Sequence, residues 1–359
     1  EGLRMRDVVT WSALIAGYAK HGHPEETFKC LKQMQKEGLF PNRITFICIL
    51  RACTEIEIGK EIHSEIVKKG LLGRDVVLET ALVDMYAKWG VLEEAQQMLD
   101  ELNVRDIIAW TALISGYVQN GQNEEALNCL ERLKQEGLSP NAVTFSCILK
   151  ACASIGAIEK GRQIHDEIVS KGLHDGSIVL GNALVDMYAK CGELAKAKQV
   201  LKELPVRDTI SWSSLIAGYA HEGHSHEALN CFDQMQRECH QPSEITLLCV
   251  LNACSRVGMF SKGQIYLEMM SKDYGINPML EHYACIVNAL SRVGHLENAI
   301  SMVLKMPHSP NLVVWHSLLG ACKHWGNFQI GKQALELAMY SDKADAMTYI
   351  MRSHIGINV

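Results

Sequence analysis

The sequence repeats itself at a long interval, and a chain that does so folds as a stack of like units rather than around one central core. DVVTWSALIAGYAK begins at Asp7, DIIAWTALISGYVQ at Asp106 and DTISWSSLIAGYAH at Asp208, spaced 99 and then 102 residues apart. Two further families lie between them. RITFICILRAC starts at Arg43, AVTFSCILKAC at Ala142 and EITLLCVLNAC at Glu244, while VVLETALVDMYAKWG starts at Val76 and IVLGNALVDMYAKCG at Ile178. Each block therefore holds three units of unequal length: 35, then 33 or 36, then 31 residues.

Every unit reads as two helices. Trp11, Leu14, Ile15 and Tyr18 recur at i, i+3, i+4 and i+7, one apolar face of a helix. Gly22 interrupts it, and Thr27, Phe28, Leu31 and Met34 form the face of a second helix, matched later by Ala126, Leu127, Leu130 and Leu133. Gly38, Leu39 and Pro41 end the pair, as do Gly137, Leu138 and Pro140, a C-terminal glycine followed by a stop proline. So small a pair cannot bury its own face, and neighbours must stack.

At 359 residues, with 48% hydrophobic and 21% charged residues and only 8 prolines, the chain suits an ordered array. No run of about 18 apolar residues is present to cross a membrane. The 13 cysteines recur by register (Cys30, Cys129 and Cys231; Cys48, Cys147 and Cys249; Cys53, Cys152 and Cys254) and form no CxxC pair, which reads as buried free thiols in a reducing compartment. A net charge of −6 argues against a broad basic footprint, so any nucleic-acid contact must come from a local stripe.

The 35-residue period, the WxxLIxGY first helix, the EEAL second helix, the EGLxPN exit and the alternation of ITFxxILxAC with NALVDMYAKCG units resemble the plant organellar pentatricopeptide repeat family, P-L-S subclass. The implied fold is all-α, a right-handed superhelical solenoid of helix-turn-helix repeats. The implied units are P-type 8–42, a shortened L-type 43–75, S-type 76–106, P-type 107–141, L-type 142–177, S-type 178–208, P-type 209–243, L-type 244–279 and S-type 280–311. Residues 1–7 resemble the tail of a preceding repeat. Residues 312–345, with VVWHSLLGACKHWGN, resemble an E motif, and 346–359 a degenerate or truncated second one. The array is thus expected to be cut at both ends, with any targeting segment upstream.

The resemblance also implies an interface for single-stranded RNA. In such repeats the second residue wedges between bases, here Val9, Ile44, Val77, Ile108, Val143, Val179, Ile210 and Ile245. All eight are β-branched and stiff. The fifth and last residues meet one base: Ser12 with Asn42, Thr80 with Asp106, Thr111 with Asn141, Ser146 with Ser177, Asn182 with Asp208, and Ser213 with Ser243. An Asp only accepts, which suits the ring N–H of guanine and uracil, while an Asn amide donates and accepts, which suits adenine and cytosine. Thr or Ser at the fifth position implies a purine and Asn a pyrimidine. Read 5′ to 3′ the units imply A, any, G, A, weak, U, weak purine, any, any. Ile47 with Asp75 and Leu248 with Met279 lack a polar fifth residue, and Ala284 with Asn311 departs from the family pattern. Lys20, Lys88, Lys190, Arg256 and Arg292 share position 13, a recurring charge able to track phosphates.

No catalytic residue, metal ligand or cofactor is implied. His63-Ser64-Glu65 and His165-Asp166-Glu167 offer half of a zinc-deaminase signature without the PCxxC that completes it, and read as a solvated helix face. Gly326 to Lys332 spells GxxxxGK but lacks the following Ser or Thr and a preceding strand. His221, His224 and His226, like His21 and His23, read as turn residues rather than ligands. The function expected is RNA site recognition in a mitochondrion or chloroplast, directing C-to-U editing with a DYW-type deaminase or editing accessory protein recruited through the E-like region. RNA stabilisation or splicing is the alternative, and a tetratricopeptide-like protein scaffold, favoured by the negative charge, the competitor from another class.

Overall fold

A computed structural model of the chain describes residues 7–73, 75–173, 177–307 and 309–340. The segment 346–359, expected to be a second E-like motif, lies outside the described residues. Among these residues there are twenty helices and no strand. They alternate in pairs: α1 (Val8–Lys20) and α2 (Pro24–Lys36), α3 (Arg43–Ala52) and α4 (Ile56–Lys68), α5 (Val76–Lys88) and α6 (Leu92–Glu101), α7 (Ile107–Gln119) and α8 (Asn123–Gln135), α9 (Ala142–Ile155) and α10 (Ile158–Ser170). The series continues with α11 (Ile178–Lys190) and α12 (Leu194–Glu203), α13 (Thr209–His221) and α14 (Ser225–Arg237), α15 (Glu244–Arg256) and α16 (Phe260–Lys272), α17 (Leu280–Arg292) and α18 (Leu296–Leu304), α19 (Leu312–Trp325) and α20 (Phe328–Tyr340). The chain divides into two compact units between Leu180 and Gly181.

Within each unit the odd-numbered helices form a continuous layer. α1, α3, α5, α7 and α9 pack in turn in the first, and α13, α15, α17 and α19 in the second. Even-numbered helices sit in the groove between their own partner and the next odd-numbered helix, as α8 does between α7 and α9. The layer is tight because small residues line it. A Cβ built on Gly116 would lie 2.6 Å from the Cβ of Ala87 and 2.9 Å from its carbonyl oxygen, so α5 and α7 approach to backbone contact. Gly218 stands equally close to Ala189 in the second unit.

Burial follows the stacking. Leu113 and Leu215 are fully enclosed, whereas Leu14, at the same register in α1, is 41% exposed because no described helix covers that side of α1. A buried leucine contributes roughly 1.5–3 kcal/mol relative to an exposed one, so each neighbour's presence matters to the whole array.

Each 35-residue unit is locked by a contact its apolar pattern does not announce. The indole N–H of Trp11 donates to Glu37 (2.9 Å), that of Trp110 to Glu136 (2.9 Å) and that of Trp212 to Glu238 (3.3 Å), which ties the first helix to the C-cap of the second. Arg105 joins the second lock: it pairs with Glu136 at 2.5 Å and donates to the carbonyls of Leu99 and Asp100 at the end of α6. Arg207 pairs likewise with Glu238 (3.3 Å). The residue after these carboxylates takes the left-handed conformation, filled by Gly38 and Gly137 but by Cys239 in the third copy, with φ of 60°. An L side chain there costs roughly 1–2 kcal/mol, which Gly38 and Gly137 avoid.

Two glycines at one register should respond in opposite ways. Gly17→Ala meets nothing within 4 Å and should raise stability by about 0.5–1 kcal/mol through the unfolded chain and helix propensity. Gly116→Ala drives a methyl into Ala87 and should lower stability by roughly 1–3 kcal/mol. Urea midpoints of the two variants, with unchanged slopes, check both signs.

Candidate nucleic-acid interface

The residues singled out by register gather at the junctions between units, where one pair ends and the next odd-numbered helix begins. The last residue of a unit is the N-cap of that helix. Asn42 accepts from the backbone N–H of Thr45 (2.9 Å), Asn141 from Thr144 (2.9 Å), Asp208 from Ser211 (2.9 Å), Ser243 from Thr246 (3.2 Å) and Ser177 from Leu180 (3.4 Å). Asp106 accepts from Ile108 and Ala109, and Asp75 from Val77 and Leu78. Capping consumes specific atoms and so fixes which others face outward. In Asn141 the amide oxygen takes both a backbone N–H and the Thr144 hydroxyl, which leaves its NH₂ as the group not used by the cap. In Asn42 the oxygen takes the Thr45 backbone N–H, while the Thr45 hydroxyl is shared between it and Ser12. A donor suits the ring acceptor of adenine or cytosine.

The fifth residues lie deeper. Ser12, Thr80, Thr111, Ser146 and Asn182 are each no more than 9% exposed, and Ser213 is half-buried. In three junctions the fifth hydroxyl meets a threonine of the next helix: Ser12 and Thr45 at 2.7 Å, Thr111 and Thr144 at 2.7 Å, Ser213 and Thr246 at 2.5 Å. These third-position residues escaped the sequence reading, although their recurrence in RITF, AVTF and EITL was visible. In the fifth-and-last pair Asn182 and Asp208, the two side chains bond directly, the amide NH₂ donating to the second carboxylate oxygen at 3.0 Å. Asn182 Oδ1 and Thr80 Oγ1 are buried with no protein partner. Orphaned buried acceptors or donors cost about 1–3 kcal/mol each until satisfied.

Beside the polar junctions, in each compact unit, stand exposed apolar side chains at one register. Val9, Ile44, Val77, Ile108, Val143, Val179, Ile210 and Ile245 are 49–70% exposed, all on the first turn of an odd-numbered helix. Val313, second in the 312–345 unit, is 64% exposed and extends the row, while Glu281 interrupts it at the 280–311 unit. The basic residues Lys20, Lys88, Lys190, Arg256 and Arg292 are exposed at the opposite ends of their helices, about 16 Å from the second position by helical rise. Lys88 and Lys190 pair with Asp84 (2.6 Å) and Asp186 (2.9 Å) one turn before them.

The residues set aside from function have structural places. His63 is not on a solvated face: its Nδ1 lies 2.8 Å from the Tyr86 hydroxyl, and its ring packs edge-on to that tyrosine. His165 is likewise buried. Among the described residues no three metal-ligating side chains converge. His221 pairs with Glu222 and His224 precedes α14 as its cap residue. Burial raises the recurring thiols, Cys129 to about 12 and Cys53, Cys231 and Cys254 to about 11, so they stay protonated at neutral pH.

Residues 6–55, 105–154 and 207–256 match the PPR repeat family, and 80–107, 143–173 and 182–208 match the PPR repeat itself. The chain belongs to the pentatricopeptide repeat family. Among curated proteins, a pentatricopeptide repeat-containing protein of Arabidopsis thaliana is 39% identical over 98% of this chain and 48% of its own length. A mitochondrial one from the same plant is 36% identical (98% and 55%), and the chloroplastic protein CRR2 35% identical (98% and 55%). The chain thus spans about half the length of the curated relatives it matches. Among solved structures, the maize pentatricopeptide repeat protein PPR10 superposes with a TM-score of 0.82 at 20% identity, over 98% of this chain and 51% of that one. PPR10 in complex with an 18-nt psaJ RNA element gives 0.81 at 19% identity (98% and 53%). That likeness establishes the repeat fold.

Burial holds the His63 pKa below the ordinary 6.5, with Glu101 opposing only in part. The unfolded chain therefore takes up this proton before the folded one, so the contribution is complete above about pH 6.5 and is lost as pH falls through the lowered value. His63→Gln should flatten the decline in the urea midpoint between pH 7 and 5. An equally steep decline in both proteins would place the acid sensitivity elsewhere.

Proposed function

We propose that this chain binds single-stranded RNA with one base per unit, the second residues separating the bases and the fifth and last residues reading them. The observation that carries the reading is the apolar row: eight β-branched side chains left exposed at one register, each beside a polar junction. A folded chain that exposes apolar surface at one repeat position eight times presents a repeated ligand surface, and base faces are flat, apolar and regularly spaced. The family and the maize relative solved with RNA support the same reading. Mitochondrial and chloroplastic relatives support an organellar setting. The P-L-S alternation and the E-like segment from Leu312 support a role in directing C-to-U editing, with the deaminase supplied in trans and recruited by that segment.

At the unit 178–208, the Asp208 carboxylate is the acceptor suited to a uracil ring N–H, and the Asn182 amide that bonds it favours the pyrimidine, its own Oδ1 being buried without a protein partner. Asn182→Thr removes this amide and keeps the carboxylate. It should turn the preference at that base from U to G, with roughly 1–3 kcal/mol of discrimination. Lys190→Ala should instead weaken all sequences alike and reduce the salt slope by about 1. Filter binding to RNAs that differ at one base measures both. A parent protein that retains no RNA would favour a protein-binding scaffold.

Deleting residues from Leu312 onward should leave RNA affinity within a few-fold while abolishing editing in a reconstituted system. Lost RNA binding in a truncated chain that keeps its helical spectrum would place the segment in the RNA path instead.

A further inference from the structure

Three junctions share a network that fifth and last residues alone do not make. Thr45 Oγ1 lies 2.7 Å from Ser12 Oγ and 2.9 Å from Asn42 Oδ1; Thr144 Oγ1 lies 2.7 Å from Thr111 Oγ1 and 3.1 Å from Asn141 Oδ1; Thr246 Oγ1 lies 2.5 Å from Ser213 Oγ and 2.8 Å from Ser243 Oγ. All three threonines are fully buried. We infer that, at these three junctions, the third residue of the following unit is a positioning residue for base selection, so that the base there is specified by three side chains rather than two. The inference rests on the RNA reading above.

The physical argument is one of proton direction. A hydroxyl has one proton, and a free rotor can offer it to, or withhold it from, any base edge. Where Thr144 sits between Thr111 and Asn141, its oxygen shares one hydrogen bond with the reader hydroxyl and its proton goes to the amide oxygen. Thr111 is thereby held in one orientation. In the other two junctions Ser12 and Ser213 donate to the carbonyls of Val8 (2.7 Å) and Thr209 (2.6 Å), so the threonine proton goes to the reader oxygen and fixes which lone pair remains. The unlike junction supports this. The unit after Thr80 has Ala109 at the third position, and there the Thr80 hydroxyl is buried with no partner, although Asp106 still caps the helix. The backbone N–H of residue 144 caps onto Asn141 whatever its side chain. The Thr144 hydroxyl adds two contacts, accepting the Asn141 backbone N–H (3.4 Å) and meeting the reader, and only the second bears on the base.

The test selects bound sequences from random RNA and then measures affinities for four RNAs that differ only at the base facing the unit 107–141. Thr144→Val keeps shape and the backbone cap while removing the hydroxyl. It should reduce the preferred-base ratio at that position about fivefold, the loss of one hydrogen bond, and leave ratios at other positions unchanged. Thr144→Ser should restore it. In the opposite direction, Ala109→Ser supplies the missing partner of Thr80 and should raise discrimination at the base facing the unit 76–106. Ratios unmoved by Thr144→Val and Ala109→Ser in folded proteins, or affinity lost equally for all four RNAs, would overturn the inference and leave a capping role only. Absence of RNA binding by the parent would instead remove the reading beneath it.

Discussion

A helix of about thirteen residues is marginal in water, and none of the described helices exceeds fourteen. The fold depends on removing that marginality by stacking. The odd-numbered layer does this through small residues, with Gly116 against Ala87 and Gly218 against Ala189 bringing backbones together so that the large side chains beside them are enclosed. Trp110 follows from the same constraint. Held in the layer, its indole N–H needs a partner, and Glu136 at the end of α8 provides it, with Arg105 fastening the same carboxylate to the preceding pair.

The even-numbered helices carry a different chemistry. Arg132 pairs with Asp100, Lys134 with Glu167 and Lys262 with Asp233, each bridging one even-numbered helix to the next. Such exposed pairs stabilise little individually. Their basic residues lie on the even-numbered helices, away from the junctions, whereas the residues at position 13 lie on the odd-numbered ones.

Helix positions were legible in the sequence because periodicity and punctuation are local: Trp11 and Ile15 declare one face, and Gly38 with Pro41 declares an end. The second-position row is named through the family resemblance, and register only carries it from unit to unit. What escaped were contacts between residues 23 to 33 positions apart, since neither partner looks unusual by itself. His63 reads as a polar residue on a helix surface until Tyr86 of the next unit is beside it, and Thr45 draws no notice until Ser12 meets it. The donor character left to Asn141 was hidden for a related reason: residue type gives what a side chain can offer, and only the cap shows what has already been used.

That cap closes the vocabulary available at the last position. Asn, Asp, Ser and Thr start a helix well, and most other residues forfeit about 0.5–2 kcal/mol. A lineage of such chains can therefore acquire a new target most easily by exchanging one capping residue for another, and each exchange swaps an outward donor for an acceptor or a hydroxyl without disturbing the stack. Met279 marks the edge of this dictionary. It has no capping oxygen, so His282 at the third position accepts its backbone N–H (3.1 Å) in place of the usual threonine, and the unit is left with no polar side chain in that place to offer. Helix physics thus limits which words the array can spell before any ligand is met.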